Sequence, residues 1–235
     1  MKLPIATFIN VATITVGSFL GLWLQQLLTT DMQQIIFQAI GLGTLIIGIQ
    51  MALKIPSGYT LIFIMSLIIG GLLGELIGLQ TFLNNLGDTL KNNLAIGEPK
   101  FTEGLVTAFL LFCIGSMTLV GAIEEGIQGK RELLLVKSLL DGVSSIALAS
   151  AYGIGVWFSI FPLLLLQGGT TLLAAKVAPF ITENIINQIT AVGGVLIIAI
   201  SIRLMNLGTI NIENLLPSLV VATLITWAYD RFKSV

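Results

Sequence analysis

Four charged residues stand within or beside long apolar runs and have the types and spacing to do chemistry: Glu124, Glu125, Lys137 and Asp141. They lie in the stretch FTEGLVTAFLLFCIGSMTLVGAIEEGIQGKRELLLVKSLLDGVSS, from Phe101 to Ser145, with the hydroxyls of Ser116 and Thr118 nearby. A charge inside a membrane segment costs on the order of 2.5–3.5 kcal/mol by insertion scales and more by other measures, so it is seldom kept without a partner or a task. Lys137 and Asp141 are four residues apart and share a helical face, with Ser138, Ser144 and Ser145 close by. If the chain turns back near Gly129, Asp141 comes level with Ser116, Met117 and Thr118, roughly 14 Å along its helix from Glu132 at about 1.5 Å per residue. Oxygen atoms gathered at one depth suit a hard cation, and a buried carboxylate is a group that can exchange protons.

Each charged pair has two readings. Lys137 and Asp141 are either an internal ion pair, with the lysine snorkelling to the near surface, or a functional site. The second gains weight because Lys before Asp is the weaker helical order and a cation near a helix start opposes the dipole. Glu124 and Glu125 end the preceding helix, where the dipole disfavours anions. They either concentrate cations at a cytoplasmic mouth or are solvated surface groups.

The elements that must hold these residues are membrane helices. Of 235 residues, 55% are hydrophobic and only 10% charged, against about a quarter charged in soluble domains. A net charge of −1 without clustered Lys and Arg argues against nucleic acid. Histidine is absent and Cys113 is the single cysteine, which rules out an intrachain disulfide and argues against zinc, haem or iron–sulfur ligation. No cofactor is expected, and no metal beyond a transient cation at Asp141. The apolar run after Lys2 extends from Ile5 to Leu28 without a cleavage pattern, so it reads as a span rather than a signal peptide.

Runs near the roughly 20 residues needed to cross a bilayer predict about eight helices, roughly 5–28, 35–53, 59–79, 101–123, 133–153, 157–175, 185–205 and 214–230. The fold class is therefore all-α, a polytopic transmembrane bundle in one integral membrane domain over 1–235. Within it, 1–79 forms a first helical unit, 101–153 the central charged hairpin and 157–235 a second helical unit. Between them, Gln80 to Pro99 alternates Phe82, Leu83, Leu86, Leu90 and Leu94 with polar residues and reads as an amphipathic surface helix. With eight spans, the side holding both termini collects Lys2, Lys54, Lys130, Arg131, Lys176, Arg231 and Lys233, against Lys91, Lys100 and Arg203 opposite. This places both termini in the cytoplasm.

A shift of 151 residues aligns Gly17 with Gly168, Ile35 with Ile186 and Gly43 with Gly194, a weak signal for an inverted repeat of helices 1–3 against 6–8. Helix one carries Asn10, Thr13, Thr15, Gly17, Ser18 and Gly21, and helix six carries Pro162 and then Gln167, Gly168 and Gly169. These interruptions either break the helices, freeing backbone groups to bind an ion or polar solute, or simply permit close packing. Gly70, Gly74 and Gly78 form a smooth stripe for an internal contact or a homodimer. Glu75 beside them reads as a carboxylate reaching the lipid headgroups.

The runs FCIGSMTLVGAIEEG, KSLLDGVSSIALASAYGIGV and PLLLLQGG resemble the YdfK/YqgA-like family of uncharacterised bacterial inner-membrane proteins, over nearly the whole chain. The matching positions are Cys113, Gly115, Met117, Thr118, Gly121, Gly126, Lys137, Ser138, Asp141 and Gly142. Glu125 departs from the pattern, which has Asp or a neutral residue there. The resemblance implies a polytopic protein of the bacterial plasma membrane for which a sodium channel or pump has been suggested, with no substrate established.

The expected function is a secondary transporter or channel for a cation or small polar solute, possible couplings being Na+ or H+. Asp141, Lys137, Ser116, Thr118, Ser138, Ser145, Glu124, Glu125, Asn10, Gln167, Gly168 and Gly169 are its binding candidates. The partners are membrane lipid and the transported species. No nucleotide-binding loop is present, so a primary pump needs another subunit. An enzyme is not expected: a Ser/His pair is impossible, and the acidic pair Asp88 and Asp230 would need to face each other in one buried pocket. The alternative is a structural or regulatory membrane component that does not transport.

Overall fold

The apolar runs fold as helices, and glycine, proline or short polar stretches end them. The computed structural model describes residues 3–27, 29–83, 85, 89, 100–114 and 116–233. Among these no strand occurs. The main helices are α1 (Ile5–Gln25), α2 (Thr30–Ala52), α3 (Thr60–Leu76), α4 (Phe101–Cys113), α5 (Ser116–Gln128), α6 (Glu132–Tyr152), α7 (Gly155–Leu172), α8 (Glu183–Leu204) and α9 (Ile212–Phe232). Six of them, α1, α2, α6, α7, α8 and α9, are long and apolar enough to cross a membrane; α4 and α5 form a seventh span if the bent pair is counted as one. α3 is apolar but has 17 residues, at the lower end of the crossing range. Each of the eight predicted segments is thus an apolar helix or helix pair, and the fold is an all-α polytopic one. Most of the predicted surface helix between Gln80 and Pro99 lies outside the described residues.

The irregularities have local causes. α4 and α5 are bent by 57°, because Ile114 adopts an extended backbone with φ −99° and ψ 110°. Beyond the break the Thr118 hydroxyl donates to the Phe112 carbonyl at 3.2 Å, satisfying one of the acceptors that a helix end leaves free. Gly129, at φ +78°, closes α5 in the left-handed region that glycine adopts without strain.

α7 has a turn at Ser159, then a short α segment containing Pro162, then a π-helical turn over Leu164–Gly168. Pro162 has no N–H for the Phe158 carbonyl, which accounts for the first break. Of the two readings open for α1, a broken helix or close packing, the structure forms the second, and α1 is continuous. Thr15 bonds back to the Val11 carbonyl at 2.7 Å and Thr13 to that of Asn10 at 2.9 Å. The glycines of α1 are filled by a neighbouring helix rather than unwound.

The chain forms two compact units, each made of two separated stretches: Met1–Ile40 with Thr89–Pro179, and Gly41–Asp88 with Phe180–Val235. In the first, α1 lies along α6 in the most extensive helix pairing of the chain. In the second, α3 packs on α9. A Cβ at Gly70 would overlap Ser218, and one at Gly74 the Asn214 carbonyl. Of the two roles expected for this stripe, the structure forms the internal contact at these two glycines.

Polar ties hold both ends of the second unit. At one, Arg203 donates to Glu213 through both guanidinium nitrogens at 3.0 and 3.1 Å, and Asn214 Nδ2 donates to the exposed Glu75 at 2.6 Å. At the other, Tyr59 donates to Asp230, Thr182 donates to the same carboxylate at 3.0 Å, and Asn184 joins them.

Candidate functional site

One face of α1 is polar or small: Thr7, Asn10, Gly17, Ser18 and Gly21 are buried on it with Ile14. Steps of three and four residues lay them in a single stripe. α6 presents Lys137, Ser138, Asp141, Gly142 and Ser145 as a buried stripe of its own. The two helices run in the same direction, so that Asn10 meets Asp141, Thr13 donates to the Ser138 carbonyl at 2.8 Å, and Gly17 meets Gly142 and Ser145. A side chain at Gly17 would overlap the Gly142 carbonyl and the Ser145 hydroxyl. Small residues let the backbones touch, as helix pairs in lipid commonly require. α7 runs the opposite way along α1. Trp157 Nε1 donates to Thr15 Oγ1 at 3.3 Å, while Gln167, in the π-helical turn, reaches Thr7 and Asn10.

A closed polar cluster results where the three helices meet. Asn10 Nδ2 donates to Asp141 Oδ2 at 2.8 Å and to Gln167 Oε1 at 3.3 Å. Gln167 Nε2 donates to Thr7 Oγ1 at 3.1 Å. Lys137 forms an ion pair with the same Asp141 Oδ2. Lys137 and Asp141 are 5% and 6% exposed, and Asn10 and Gln167 are 0%, so in this conformation water has little access. Asn10 Oδ1 is buried without a hydrogen-bond donor among the described residues, although buried acceptors are normally satisfied. At about 1.5 Å per residue, Asn10 lies roughly 8 Å and Asp141 roughly 14 Å along their helices. The cluster thus lies within helices long enough to cross a hydrocarbon core about 30 Å thick.

A second tie fixes where α1 begins. Glu125 is completely buried, accepts the Ala6 N–H at 3.0 Å and pairs with Arg131 Nε at 3.0 Å. The first N–H groups of a helix have no partner within it, and the dipole favours an anion there. An acidic residue poorly placed for its own helix is therefore well placed for another. Asn10, one turn along α1 from Ala6, is positioned in part by this contact.

Residues 5–227, from the start of α1 into α9, match a family described as "Protein of unknown function (DUF554)". The chain belongs to the DUF554 family. Among similar DUF554-like chains, "Uncharacterized membrane protein YdfK" of Bacillus subtilis (strain 168) is 36% identical over 229 residues, covering 96% of this chain and 97% of that protein. "Uncharacterized protein YqgA" of Escherichia coli (strain K12) is 28% identical over 233 residues, covering 97% and 98%. No solved structure matches. The apolar helices, together with the likeness to a Bacillus membrane protein, make this DUF554 chain a membrane protein.

Of the residues singled out in the sequence, Asp141, Lys137, Asn10 and Gln167 come together directly. Gly168 faces the Thr7 methyl, and among the described residues no neighbouring atom lies within 4 Å of where a Gly169 side chain would be. Ser138 contributes its carbonyl to Thr13, while its hydroxyl bonds back to Leu134 at 2.7 Å. Ser145 sits a turn further along, bonded to the Gly142 carbonyl at 2.7 Å and that of Ile14 at 3.3 Å. Thr118 is engaged at the α4–α5 break, where its hydroxyl donates to the Phe112 carbonyl. The Ser116 side chain lies outside the described residues. Glu124 is half-buried beside Glu125, which takes neither role foreseen for it because it caps α1. Asp88 lies outside the described residues, and Asp230 is held by Tyr59, Thr182 and Asn184. Thr7 was missed. Its signal was its place on the α1 stripe, one turn before Asn10.

Proposed function

We propose that this protein is a secondary transporter or channel for a cation or small polar solute, with Asp141 as the carboxylate that receives it. What supports this reading is the cluster itself: an ion pair and two carboxamides buried between three helices, one of them π-helical at that level. Isolated π turns recur at functional sites. As a structural device the cluster is a poor one, because a buried ion pair is often matched in stability by apolar residues of similar volume. The glycine contacts of α1 and α6 already supply close packing.

The distribution of Lys and Arg supports a bacterial plasma-membrane protein with both termini in the cytoplasm. In that orientation Glu125, Arg131 and the α5–α6 turn lie on the cytoplasmic side, and the cluster is nearer to it. No catalytic chemistry is assigned, since no histidine is present and the buried carboxylate already has two partners.

In proteoliposomes assayed against a panel of ions and small metabolites, Asp141→Asn abolishes flux while helical content and elution volume stay those of the parent. Parental flux in this variant refutes the assignment. The double engagement of Asp141 by Lys137 and Asn10 favours a second reading, a structural membrane component, and under it the parent itself shows no flux across the panel.

A further inference from the structure

We infer that the Lys137 ammonium is a tethered occupant of the cation position on Asp141, and that the carried species is a monovalent cation that takes its place. This rests on the transport reading above and names the class of its substrate. Asp141 Oδ2 receives both the ammonium and the Asn10 amide, so the ammonium stands where a cation would bind. Further along the same cluster the acceptors are oxygens: the unpartnered Asn10 Oδ1, Gln167 Oε1, which accepts from Asn10, and Thr7 Oγ1, which accepts from Gln167. Hard cations take oxygen ligands.

Charge selects the valence. No group of three or more acidic, histidine or cysteine side chains that could hold a metal ion occurs among the described residues. Among the described residues that bond to one another in the cluster Asp141 is the one acidic side chain, and exchanging one positive charge for another leaves the buried site neutral. A divalent ion would leave an excess charge in a low-dielectric setting, which is costly.

The tether has a way out. Side chains on a helix tilt toward its N-terminus, yet Lys137 reaches one turn in the other direction to meet Asp141. Released, its stem extends toward Glu132 and the aqueous turn, roughly 8 Å away at about 1.5 Å per residue, a reach that snorkelling lysines cover. The ammonium keeps its proton throughout, no bond is made or broken, and the incoming ion supplies the positive charge that leaves.

The test uses the full-length protein in nanodiscs, titrated with LiCl, NaCl or KCl at constant ionic strength balanced by N-methylglucamine chloride. The readout is the half-saturating concentration for the rise in unfolding temperature. If Lys137 holds Asp141 about nine-tenths of the time, it masks the intrinsic affinity about tenfold. Lys137→Met, which keeps an unbranched stem without charge, therefore lowers the half-saturating concentration of at least one of the three ions about tenfold. Lys137→Arg, with a fork that grips a carboxylate more firmly, raises it several-fold, and Asp141→Asn removes the response.

An unchanged half-saturating concentration in Lys137→Met overturns the inference. If that variant is too unstable to titrate, Lys137→Arg decides alone, and an unchanged value there overturns it equally. Flux separates the two ideas: Asp141-dependent flux with no effect of either Lys137 substitution refutes only the tethered occupant, flux and binding that both ignore Asp141 refute the assignment of Asp141 as well, and a parent without flux across the panel refutes the transport reading itself.

Discussion

Gly17→Ala tests how closely α1 and α6 must approach. The added methyl overlaps two atoms, the Ser145 hydroxyl oxygen and the Gly142 carbonyl oxygen. The first can rotate aside; the second belongs to a helical backbone and cannot. Overpacking a close-packed contact costs about 1–3 kcal/mol, and a rigid obstacle puts this site in the upper half of that range. Alanine returns about 1 kcal/mol of helix propensity over glycine, leaving a net loss of about 1–2 kcal/mol. For a chain of this size each kcal/mol moves the melting temperature about 2–4 °C, so the expected fall is about 2–8 °C. Thermal unfolding followed by circular dichroism in one fixed nanodisc composition measures it.

Gly43→Ala is the control, because among the described residues no neighbouring atom lies within 4 Å of its added methyl. It should match the parent or exceed it. Ser145→Ala in the Gly17→Ala background recovers part of the loss, since one of the two obstacles is gone. A Gly17→Ala protein that melts no lower than Gly43→Ala refutes the claim that backbone contact holds α1 against α6.

Two further outcomes probe the polar ties. Glu125→Gln keeps an acceptor for the Ala6 N–H but loses the charge at the α1 N-terminus, at a cost of about 1 kcal/mol; Glu125→Ala leaves that N–H unsatisfied and falls a further 1–3 kcal/mol or about that, an order that the same melting assay checks. Arg203→Met strips the bidentate partner from Glu213, whose side chain is only 4% exposed while that of Arg203 is 22% exposed. The loss is about 2–3 kcal/mol, below the range for a fully buried pair, and Glu213→Gln in the same chain restores part of it.

The helices themselves were legible because length and apolarity suffice to specify them, and Pro162 foretold the irregular α7. The candidate residues were legible by cost: Lys137, Asp141, Asn10 and Gln167 stood out because polar groups in lipid need a reason. Their partners were not. The stripes on α1 and α6 are each visible as a spacing, but nothing in a spacing says which stripe meets which, and Asn10 and Asp141 are 131 residues apart. Glu125 shows the same limit, since its unfavourable place at the end of α5 makes sense only once the start of α1 is beside it. The choice between a broken and a closely packed α1 was open for a related reason. Glycine and threonine read alike whether they unwind a helix or let a neighbour in, and here the neighbour is α6.

That each unit is assembled from two distant stretches bears on how the protein is made. A chain growing at about 5–20 residues per second needs about 7–26 s after Asn10 has emerged before Asp141 follows, and Gln167 comes later still. Over that interval α1, although long and apolar enough to span alone, waits with Asn10 and Thr7 unmatched. The order of synthesis therefore favours holding α1 near the insertion machinery until α6 and α7 arrive. Residues that later form the buried cluster would first act as a retention signal in the nascent protein.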